Sequence, residues 1–298
     1  MRSENNGIEK IGVVGTGKVG RVLARLFSKA GTPVLWVADR SLEKAKSCAV
    51  ECGAKSASSN ASAFDPLITV LLLCVADDDL PALAYSLGHS GKHIPGMLAV
   101  HTSGALGASV LEPMRALGVL LGSFHPCYSF ADPFEGDLQG VRFAIEGDLD
   151  ACIRMEALSR ILDGKPIRMS SDDKVLYHTA CSMASNHLVG LLDAIDRILR
   201  HTGIDEGIEA LWPLVRGTIR NAESLGVAQA LTGPILRGDV ATVKQHLEAL
   251  AVVEPSLLRI YTSLGQRILM LALQRGLDQK KASDMQRLLD SFSLEKTS

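Results

Sequence analysis

Polar side chains recur at helical spacing in a segment of the second half of the chain that is otherwise apolar. They are Lys174, His178, Ser182, Ser185 and Asn186. At about 100° per residue the first four fall within about 80° of one another, and Asn186 lies about 80° from His178. Histidine and lysine can donate a proton to a developing alkoxide, and serine and asparagine can orient a carbonyl group. The stripe predicts a proton donor and orienting groups; alternatively it faces solvent, or His178 is a buried imidazole bonded to backbone.

Two further polar segments follow predicted strands. They are HTSGA at 101–105 and SFHPCY at 123–128. In an open parallel sheet, ligands gather beyond the carboxyl ends of the strands. Pro126 holds the residue before it extended, so the His125 ring is expected to project toward a ligand. Ser103 is the other candidate in these segments, with simple turn chemistry as the alternative.

The loop LTGPILRGD at 231–239 combines two glycines, a proline and an arginine. Arg237 could clamp a carboxylate through two parallel hydrogen bonds. Asp239 suits the N-cap of a following helix. A simple turn between two helices is the alternative.

A further group of candidate residues lies near the start of the chain. The apolar run at 11–14 breaks into Gly15, Gly17 and Gly20 at G-x-G-x-x-G spacing. The first glycine allows a tight turn after a strand, the second lets backbone approach a pyrophosphate, and the third lets the next helix pack on the sheet. That helix directs free N–H groups at the phosphates. The predicted cofactor-binding residues are Gly15, Thr16, Gly17, Lys18, Val19, Gly20, Asp39, Arg40, Ser41, Val75, Ala76, Asp77 and Thr102.

Three neighbouring features limit which nucleotide this motif binds. Asp39 stands nineteen positions after Gly20, near the spacing of about 20 expected for the acid that binds ribose hydroxyls. Asp39 favours NAD, whereas Arg40 and Ser41 could hold the 2′-phosphate of NADP, so the sequence leaves NAD or NADP open. An overlapping G-x-x-x-x-G-K pattern has Val19 where a P-loop needs Ser or Thr to hold magnesium, which argues against a nucleotide triphosphatase.

Alternating strand and helix patterns must position these residues. Strands are predicted at 11–14, 32–38, 67–75, 97–100, 119–123, 141–146 and 166–169, and helices at 149–162, 174–200, 208–224, 239–251, 255–275 and 280–292. The pattern predicts an α/β Rossmann dinucleotide-binding domain at 1–170, with a parallel sheet covered by helices on both faces. An all-helical domain at 171–298 follows, and the cleft between the two is the expected substrate site.

Composition excludes several classes of function. The chain has 298 residues, of which 47% are hydrophobic and 21% charged, enough to bury a large core. The net charge of −2, without a run of Lys or Arg, argues against nucleic-acid binding. The first ten residues lack an apolar signal core and the longest apolar run is too short for a bilayer, so a cytoplasmic protein is predicted. Six cysteines without a C-x-x-C pair predict reduced thiols, and no metal site is expected.

Several segments together resemble a known family. They are the glycine motif, VADRSLEKA, HTSGAL, GSFHPCYSF, YHTACSMASNHLVGL and LTGPILRGD. The chain resembles Rossmann-like proteins with a C-terminal DUF2520 domain, which are related to pyrroline-5-carboxylate reductases, 3-hydroxyacid dehydrogenases and ketopantoate reductases. The resemblance covers nearly the whole chain. It implies an NADP-type cofactor, a helical domain of the 6-phosphogluconate dehydrogenase C-terminal type that mediates dimerisation, and an active site in the interdomain cleft.

One position departs from this resemblance. The hydroxyacid dehydrogenases carry a catalytic lysine in a K-x-x-N pattern, whereas Lys174 is followed by V-L-Y. Lys174 therefore does not simply inherit that role. His178 and Asn186 are better candidates for the proton donor and the substrate-orienting group.

Two hypotheses follow. In the first, the protein is a NAD(P)H-dependent oxidoreductase that reduces a small, carboxylated carbonyl or imine compound, with ketopantoate as one candidate by analogy. His178 or Lys174 supplies the proton, and Asn186, Ser103 and His125 position the substrate. In the second, the protein is a dinucleotide-binding sensor without turnover. The polar stripe distinguishes them, because it should face the nicotinamide in an enzyme and solvent or a dimer interface in a sensor.

Overall fold

One eight-stranded sheet organises the first part of the chain, in a computed structural model that describes residues 8–131, 133–134 and 136–293. Its strands are β1 (Ile11–Val14), β2 (Val34–Ala38), β3 (Ser56–Ser58), β4 (Val70–Leu73), β5 (Leu98–His101), β6 (Leu120–Pro126), β7 (Arg142–Gly147) and β8 (Lys165–Arg168). They lie in the order β3-β2-β1-β4-β5-β6-β7-β8. Since β1 to β6 pair in parallel, their carboxyl ends meet at one edge of the sheet.

Helices connect the strands and make up the later part of the chain. The first five are α1 (Lys18–Lys29), α2 (Leu42–Cys52), α3 (Leu80–Gly88), α4 (Leu149–Ile161) and α5 (Lys174–Ser182). The remaining six are α6 (Leu188–His201), α7 (Trp212–Leu225), α8 (Pro234–Arg237), α9 (Val240–Val253), α10 (Leu258–Gln274) and α11 (Gln279–Ser293). Short 3-10 helices cover Ala61–Ala63, Asp77–Asp79, Ala108–Leu117, Gly207–Leu211 and Pro255–Leu257.

The strands around the glycine motif are buried on both faces. Every residue of β1, β2 and β4 is buried. Successive side chains of β4 point to opposite faces. Leu72 packs in one apolar cluster with Phe27 of α1, and Leu71 packs in another with Leu87 of α3. The continuous apolar run from which this strand was predicted is thus the consequence of a sheet covered on both sides.

The sheet differs from the parallel prediction at one strand, because β7 pairs antiparallel to β6. A parallel connection needs a crossover, usually through a helix. The described part of the segment between Pro126 and Arg142 contains no helix. The chain therefore returns alongside β6 in the opposite direction, and β8 then pairs in parallel with β7.

Two other elements differ from the sequence prediction. The strand β3 has the sequence SAS, which carries no apolar pattern from which a strand could be predicted. The single helix predicted over 174–200 is interrupted by a π-helical turn at Met183–His187, which separates α5 from α6.

The chain divides into two compact units. The first ends at Ser185 and the second is Asn186–Ser298. The core of the second unit is formed by α8 to α11, around Val243, Leu269 and Met285. The sequence-based division after residue 170 stays a prediction. In the described ranges, no helix is both long and apolar enough to cross a membrane.

Arg154 of α4 ties together the segments that precede three strands. Its guanidinium group donates two hydrogen bonds of 2.8 Å to the two carboxylate oxygens of Glu9, before β1. It also donates to the carbonyl oxygens of Thr69 at 2.8 Å and Gly96 at 2.7 Å, just before β4 and β5. Bidentate pairs between a guanidinium and a carboxylate are among the stronger hydrogen-bonded contacts in proteins. Arg154 therefore fixes the end of the sheet opposite to the glycine motif.

We expect Arg154→Ala to lower the free energy of unfolding by about 2 kcal/mol, because Glu9 and two carbonyl oxygens lose a partly buried charged donor. The matched control is Arg160→Ala on the same helix, whose side chain is 61% exposed and pairs with Glu156 at 3.2 Å. This control should cost less than about 0.5 kcal/mol. Urea denaturation followed by circular dichroism measures both, and equal losses would contradict the assignment.

Candidate active site

Two positions of the G-x-G-x-x-G motif, one in the loop after β1 and one in the first turn of α1, require glycine. Gly15 has a φ of +91°, and a Cβ there would lie 2.5 Å from the carbonyl oxygen of Cys74. A Cβ on Gly20 would lie 2.0 Å from the carbonyl oxygen of Gly15. These contacts match the tight turn and the close packing predicted for the first and third glycines. Gly17 is exposed, and a Cβ there would meet no atom within 4 Å, so backbone is accessible at the second glycine.

Asp39, at the end of β2, is hydrogen-bonded to the glycine loop. One carboxylate oxygen accepts from both the backbone N–H and the hydroxyl of Thr16, each at 2.8 Å. The other accepts from the backbone N–H of Ser41 at 3.0 Å. Burial alone would raise the pKa of this carboxyl, but these hydrogen bonds and the charge of Lys44 outweigh it and lower the pKa. Asp39 is therefore an ionised residue that holds the loop in shape.

A cavity of about 420 Å³ lies beside this loop. The predicted cofactor-binding residues that line it are Gly15, Thr16, Gly17, Asp39, Arg40, Val75 and Ala76. Lys44, Ser59 and Asp79 also line it and were not predicted. Arg40 is 91% exposed at the side chain and lies 3.4 Å from Asp79. Two cationic side chains, Arg40 and Lys44, thus lie at the cavity next to the carboxylate of Asp39.

Three other predicted cofactor-binding residues, Lys18, Val19 and Ser41, do not line this cavity. Lys18 is exposed and lines a second cavity of about 550 Å³, together with Arg21, Arg25 and Lys44. Val19 is partly buried against the apolar core. The Ser41 hydroxyl accepts a hydrogen bond of 3.3 Å from the Lys44 backbone N–H and so caps α2.

A series of contacts connects the glycine loop with the end of the neighbouring strand. Cys74, directly after β4, contacts both Gly15 and Gly20. Burial raises the pKa of its thiol to about 12, and a hydrogen bond with the Thr102 hydroxyl opposes this only in part. Thr102 follows β5 and precedes Ser103. The predicted cofactor-binding residue Thr102 therefore links the loop to the polar segment at 101–105.

The hydroxyl of Ser103 has no remaining hydrogen-bonding capacity. It donates to the Asp77 carboxylate at 2.7 Å and accepts from the backbone N–H groups of Ala105 at 3.2 Å and Leu106 at 3.0 Å. A serine hydroxyl offers one donor and two acceptor positions, and Ser103 is only 6% exposed. These hydrogen bonds stabilise the turn itself, which was the alternative interpretation of Ser103. They also hold the Asp77 carboxylate in place.

Lys174, the first residue of α5, is 1% exposed. Its ammonium group donates to the Ser123 hydroxyl at 2.7 Å and to the Ser103 carbonyl oxygen at 3.3 Å. Burial lowers the pKa of this ammonium group, while the charges of Glu146 and Asp77 oppose the shift. Lys174 thus fastens the start of α5 to β6 and to the turn after β5.

His101 is buried, and its tautomer follows from its hydrogen bonds. One ring nitrogen, Nδ1, accepts from the Ser103 backbone N–H at 3.2 Å. The other nitrogen, Nε2, therefore carries the proton and donates to the Gly107 carbonyl oxygen at 3.1 Å. Burial lowers the pKa of His101 to about 4, and the nearby charge of Lys174 acts in the same direction. The ring is neutral at neutral pH.

His125 lies next to two side chains of α5. Its Nδ1 is 3.0 Å from the Tyr177 hydroxyl. Its ring meets those of Tyr177 and His178 edge-on, with centroids 5.6 Å and 5.9 Å apart. Burial lowers the pKa of His125 to about 4, and the charges of Lys174 and His178 contribute. We call His125, Tyr177 and His178 the histidine cluster.

The histidine cluster closes over Gly104. A Cβ on Gly104 would lie 2.4 Å from Cδ2 of His178 and 2.9 Å from Nε2 of His125. The missing side chain thus allows both imidazole rings to approach the backbone of the turn after β5. His178 is half-buried, so it is neither fully exposed to solvent nor a fully buried imidazole, the two alternatives stated for it from the sequence.

Three predicted residues are not members of this cluster. Ser182 is half-buried at the end of α5. Asn186 is exposed and is the first residue of the second unit. Arg237 is exposed in the second unit, where Asp239 caps α9 by accepting from Thr242, as in the turn alternative. The substrate-orienting roles of Asn186 and Arg237 stay predictions.

Sequence reasoning missed three residues of this region. Tyr177 is one turn from Lys174 and was considered only as a departure from another family's pattern. Gly104 belongs to a segment already singled out, but nothing in its local sequence tells that rings from β6 and α5 would meet it. Lys44 follows Asp39 by five positions on the exposed side of α2. Across the described residues, no group of three or more His, Cys, Asp or Glu side chains could hold a metal ion.

Comparison with protein families decides the relationship. Residues 4–126 match the Rossmann-like domain and residues 141–268 match the domain of unknown function DUF2520. The chain is a Rossmann-like protein with a C-terminal DUF2520 domain. The predicted resemblance and the predicted fold class are both confirmed, and the Rossmann-like domain fits dinucleotide binding. A search of curated proteins finds no match.

Solved structures share this fold at low sequence identity. A protein from Bacteroides fragilis, provisionally assigned as an NADP oxidoreductase, is 22% identical with a TM-score of 0.74, covering 87% of this chain and 97% of its own. A reductive aminase from Aspergillus terreus in complex with NADPH and ethyl levulinate is 16% identical, with a TM-score of 0.61 and coverage of 96% and 93%. A pyrroline-5-carboxylate reductase from Coxiella burnetii is 15% identical, with a TM-score of 0.59 and coverage of 95% and 99%. At these identities the likeness shows the fold alone.

The two neutral histidines predict a pH dependence of stability. The pKa of His101 and of His125 is about 4 in the folded protein, against about 6.5 when unfolded. Between these values the unfolded chain binds protons that the folded chain does not, so stability falls as the pH decreases from 6.5 to 4, by up to about 3 kcal/mol for each ring.

Urea denaturation of the wild type and of His125→Gln over this pH range measures the effect. The variant should lose less stability on acidification than the wild type, because one of the two rings no longer titrates. The same pH slope in both proteins would show that His125 does not titrate as described.

Proposed function

We propose that this protein is an NADP(H)-dependent reductase of a small carbonyl or imine compound. The supporting observation is that a dinucleotide-binding glycine loop, after β1, and the histidine cluster, at the ends of β5 and β6, lie at the same edge of the sheet in one compact unit. The intervening contacts run through Cys74, Thr102 and Ser103. Reduction of a C=O or C=N bond needs a hydride donor on one side and a proton donor on the other. The glycine loop fits the first requirement and the histidine cluster fits the second.

NADP(H) is proposed as the cofactor in preference to NAD(H). The acid that would select the free ribose hydroxyls, Asp39, already accepts three hydrogen bonds from Thr16 and Ser41. Arg40 and Lys44 line the same cavity and can pair with a 2′-phosphate. The fold neighbours from B. fragilis and A. terreus are described with NADP and NADPH, which supports the same choice.

His178 is proposed as the proton donor, because it is half-buried and belongs to the polar stripe of α5. His125 is proposed to orient the substrate. In this role the Tyr177 hydroxyl donates a hydrogen bond to Nδ1 of His125, so the proton of the neutral ring is on Nε2. Nε2 lies next to Gly104 and can donate a hydrogen bond to the carbonyl oxygen of a substrate. Lys174 and Ser103 are proposed as positioning residues, since their polar atoms are buried and bonded within the protein.

A homodimer formed through the second unit is proposed as the working state. None of the fourteen residues of α7 is buried, although this helix carries Trp212, Leu214 and Ile219. Leu214 is 65% exposed and Ile219 is 46% exposed. An apolar helix surface left uncovered in a single chain is typical of a subunit interface.

A dinucleotide-binding sensor remains the second candidate, since it would share the glycine loop and the cavity. The observation that favours an enzyme is the environment of His125 and His178, which lie at the end of the sheet on which ligands gather and not on an open surface. The carboxylated nature of the substrate rests on Arg237 and on the sequence resemblance.

Removal of the two cations at the cavity should weaken NADPH binding selectively. We expect the double variant Arg40→Ala/Lys44→Ala to raise the Kd for NADPH about 10- to 100-fold, because one or two charge-assisted bonds to the 2′-phosphate are lost. The Kd for NADH should change less than threefold, as an order-of-magnitude expectation. Titration of the fluorescence of each cofactor measures both constants.

Lys46→Ala is the matched control for this experiment. Lys46 is an exposed lysine of the same helix that does not line the cavity. Lys46→Ala removes one positive charge, as each of the two cavity substitutions does. It therefore shows how far the loss of a positive charge on this helix affects NADPH binding in general. Equal losses of NADPH and NADH affinity in the double variant would contradict the proposed 2′-phosphate site.

Removal of the proposed proton donor tests the function itself. With NADPH and a panel of ketopantoate, pyrroline-5-carboxylate and ethyl levulinate, the wild type should oxidise NADPH with at least one compound. His178→Ala should lower kcat by roughly 10²-fold or more, as expected for loss of a general acid, while the Kd for NADPH is unchanged. Thr179→Ala is the control, since Thr179 is an exposed neighbour whose hydroxyl bonds only its own helix.

Two results would overturn this assignment. If His178→Ala and Thr179→Ala turn over a reduced compound equally well, His178 is not the proton donor. If the wild type binds NADPH tightly and oxidises it with no carbonyl or imine compound of the panel, the sensor is the better description.

A further inference from the structure

Two cysteines from distant parts of the chain face each other in the first unit. Cys127 follows β6 directly, and Cys181 lies near the end of α5. Their sulfur atoms are 3.4 Å apart, although the residues are 54 positions apart in sequence. Both side chains are half-buried and both are free thiols. Neither was singled out from the sequence, since no C-x-x-C pattern marks them.

The backbone on both sides of this pair is well held. The Cys127 N–H donates to the Arg142 carbonyl oxygen at 2.8 Å, which continues the pairing of β6 with β7. Cys181 belongs to the helix whose first residue, Lys174, is fastened to Ser123 of β6. The two sulfur atoms therefore face each other because two anchored elements converge, and a bond of about 2.0 Å needs only a small approach of the side chains.

We propose that Cys127 and Cys181 form a reversible intrachain disulfide. In this reaction two S–H bonds break and one S–S bond forms. Two electrons and two protons pass to a low-molecular-weight disulfide such as oxidised glutathione, which becomes two thiols. The product joins α5 to the end of β6 by a covalent bond.

The other cysteines do not offer an accessible pair on two different elements. The thiols of Cys48 and Cys52 also interact with each other, but both residues are buried and lie one turn apart on α2. Cys152 is buried as well. The thiol of Cys152 donates to the Gly147 carbonyl oxygen at 3.6 Å. Cys74 contacts the glycine loop. Half-burial leaves Cys127 and Cys181 accessible to a small disulfide.

Burial, together with the hydrogen bond between the Cys181 and Cys127 thiols, raises the pKa of the Cys181 thiol. Since the thiolate is the attacking species, the disulfide should form slowly at neutral pH and faster as the pH rises. Its stability depends on a different property, the fixed proximity of the two sulfurs, which favours the bonded form over mixed disulfides. The pair is therefore expected to follow the thiol balance of its surroundings over minutes or longer.

Tyr177, a member of the histidine cluster, connects the cysteine pair with His125. Its hydroxyl interacts with both thiols, which together with burial raise the pKa of the phenol. The same hydroxyl is 3.0 Å from Nδ1 of His125. Disulfide formation removes both thiol protons from the surroundings of this hydroxyl. Oxidation of the two cysteines would thus change the hydrogen bonding of the Tyr177 hydroxyl and, through it, the contact with His125.

Mass spectrometry of the full-length protein tests the proposal. The protein is equilibrated with mixtures of reduced and oxidised glutathione at pH 8, its free thiols are alkylated, and it is digested with trypsin. Cleavage after Arg and Lys gives Cys127 in the peptide 116–142 and Cys181 in 175–197, each with no other cysteine. We expect these two peptides to be joined by one disulfide. After reduction, both cysteines should become available for alkylation.

Cys152→Ala is the control variant and should keep the joined peptides, while Cys127→Ser should lose them. A second readout is the thermal midpoint of unfolding, which should rise on oxidation in the wild type and not in Cys127→Ser, because the bond restricts the unfolded chain. The proposal is overturned if both thiols stay alkylatable in a tenfold excess of oxidised glutathione. It is also overturned if glutathione adds to either cysteine in place of the joined product.

Discussion

The placement of the proposed reacting side chains depends on one buried ammonium group. Lys174 starts α5, and the partners described for its ammonium group are a serine hydroxyl and a carbonyl oxygen, both neutral. Burial of a charge without a directly bonded counter-ion is costly, so this contact persists only where the surroundings are fixed. The surroundings are β6 and the turn after β5, both anchored in the sheet. Tyr177 and His178 follow within about one helical turn, and their positions are set by the same contact.

Two glycines, which carry no side chain, shape the candidate site in different ways. At Gly20 the space is filled by the backbone of Gly15, which cannot move without disrupting the turn. At Gly104 the space is filled by the edges of two imidazole rings, which can rotate about their side-chain bonds. The first gap therefore creates a rigid surface at the glycine loop. The second gap, over the turn after β5, is bounded by side chains, which adjust more easily than backbone.

The sequence carried the parts of the fold that depend on local patterns. The glycine spacing, the buried runs of β1 and β4 and the helices after residue 170 follow from periodicity and composition, and the structure contains them. The antiparallel strand β7 could not be predicted, because its direction depends on the path of the segment before it. The sequence SAS of β3 carries no apolar signal, since its pairing comes from its neighbour β2.

The site was predictable to a smaller extent. His125 and His178 were singled out from their places after a strand and on a helix face, and these places depend on local sequence. The hydrogen bonds of Asp39 and Ser103 to neighbouring backbone and side chains could not be predicted from sequence. The same residue types could equally have bonded a ligand. Tyr177 and the pair Cys127–Cys181 depend on contacts between the end of β6 and α5, and the residues in contact are more than 50 positions apart in sequence.

The exposed helix α7 has a consequence for how the protein holds together. A helix without a buried residue gains little from the packing of its own chain, and most helical stability comes from such packing. If a second subunit covers it, part of the folding free energy of the second unit is supplied by association. The stability of that unit then depends on protomer concentration, so dilution weakens its fold while the sheet of the first unit remains intact.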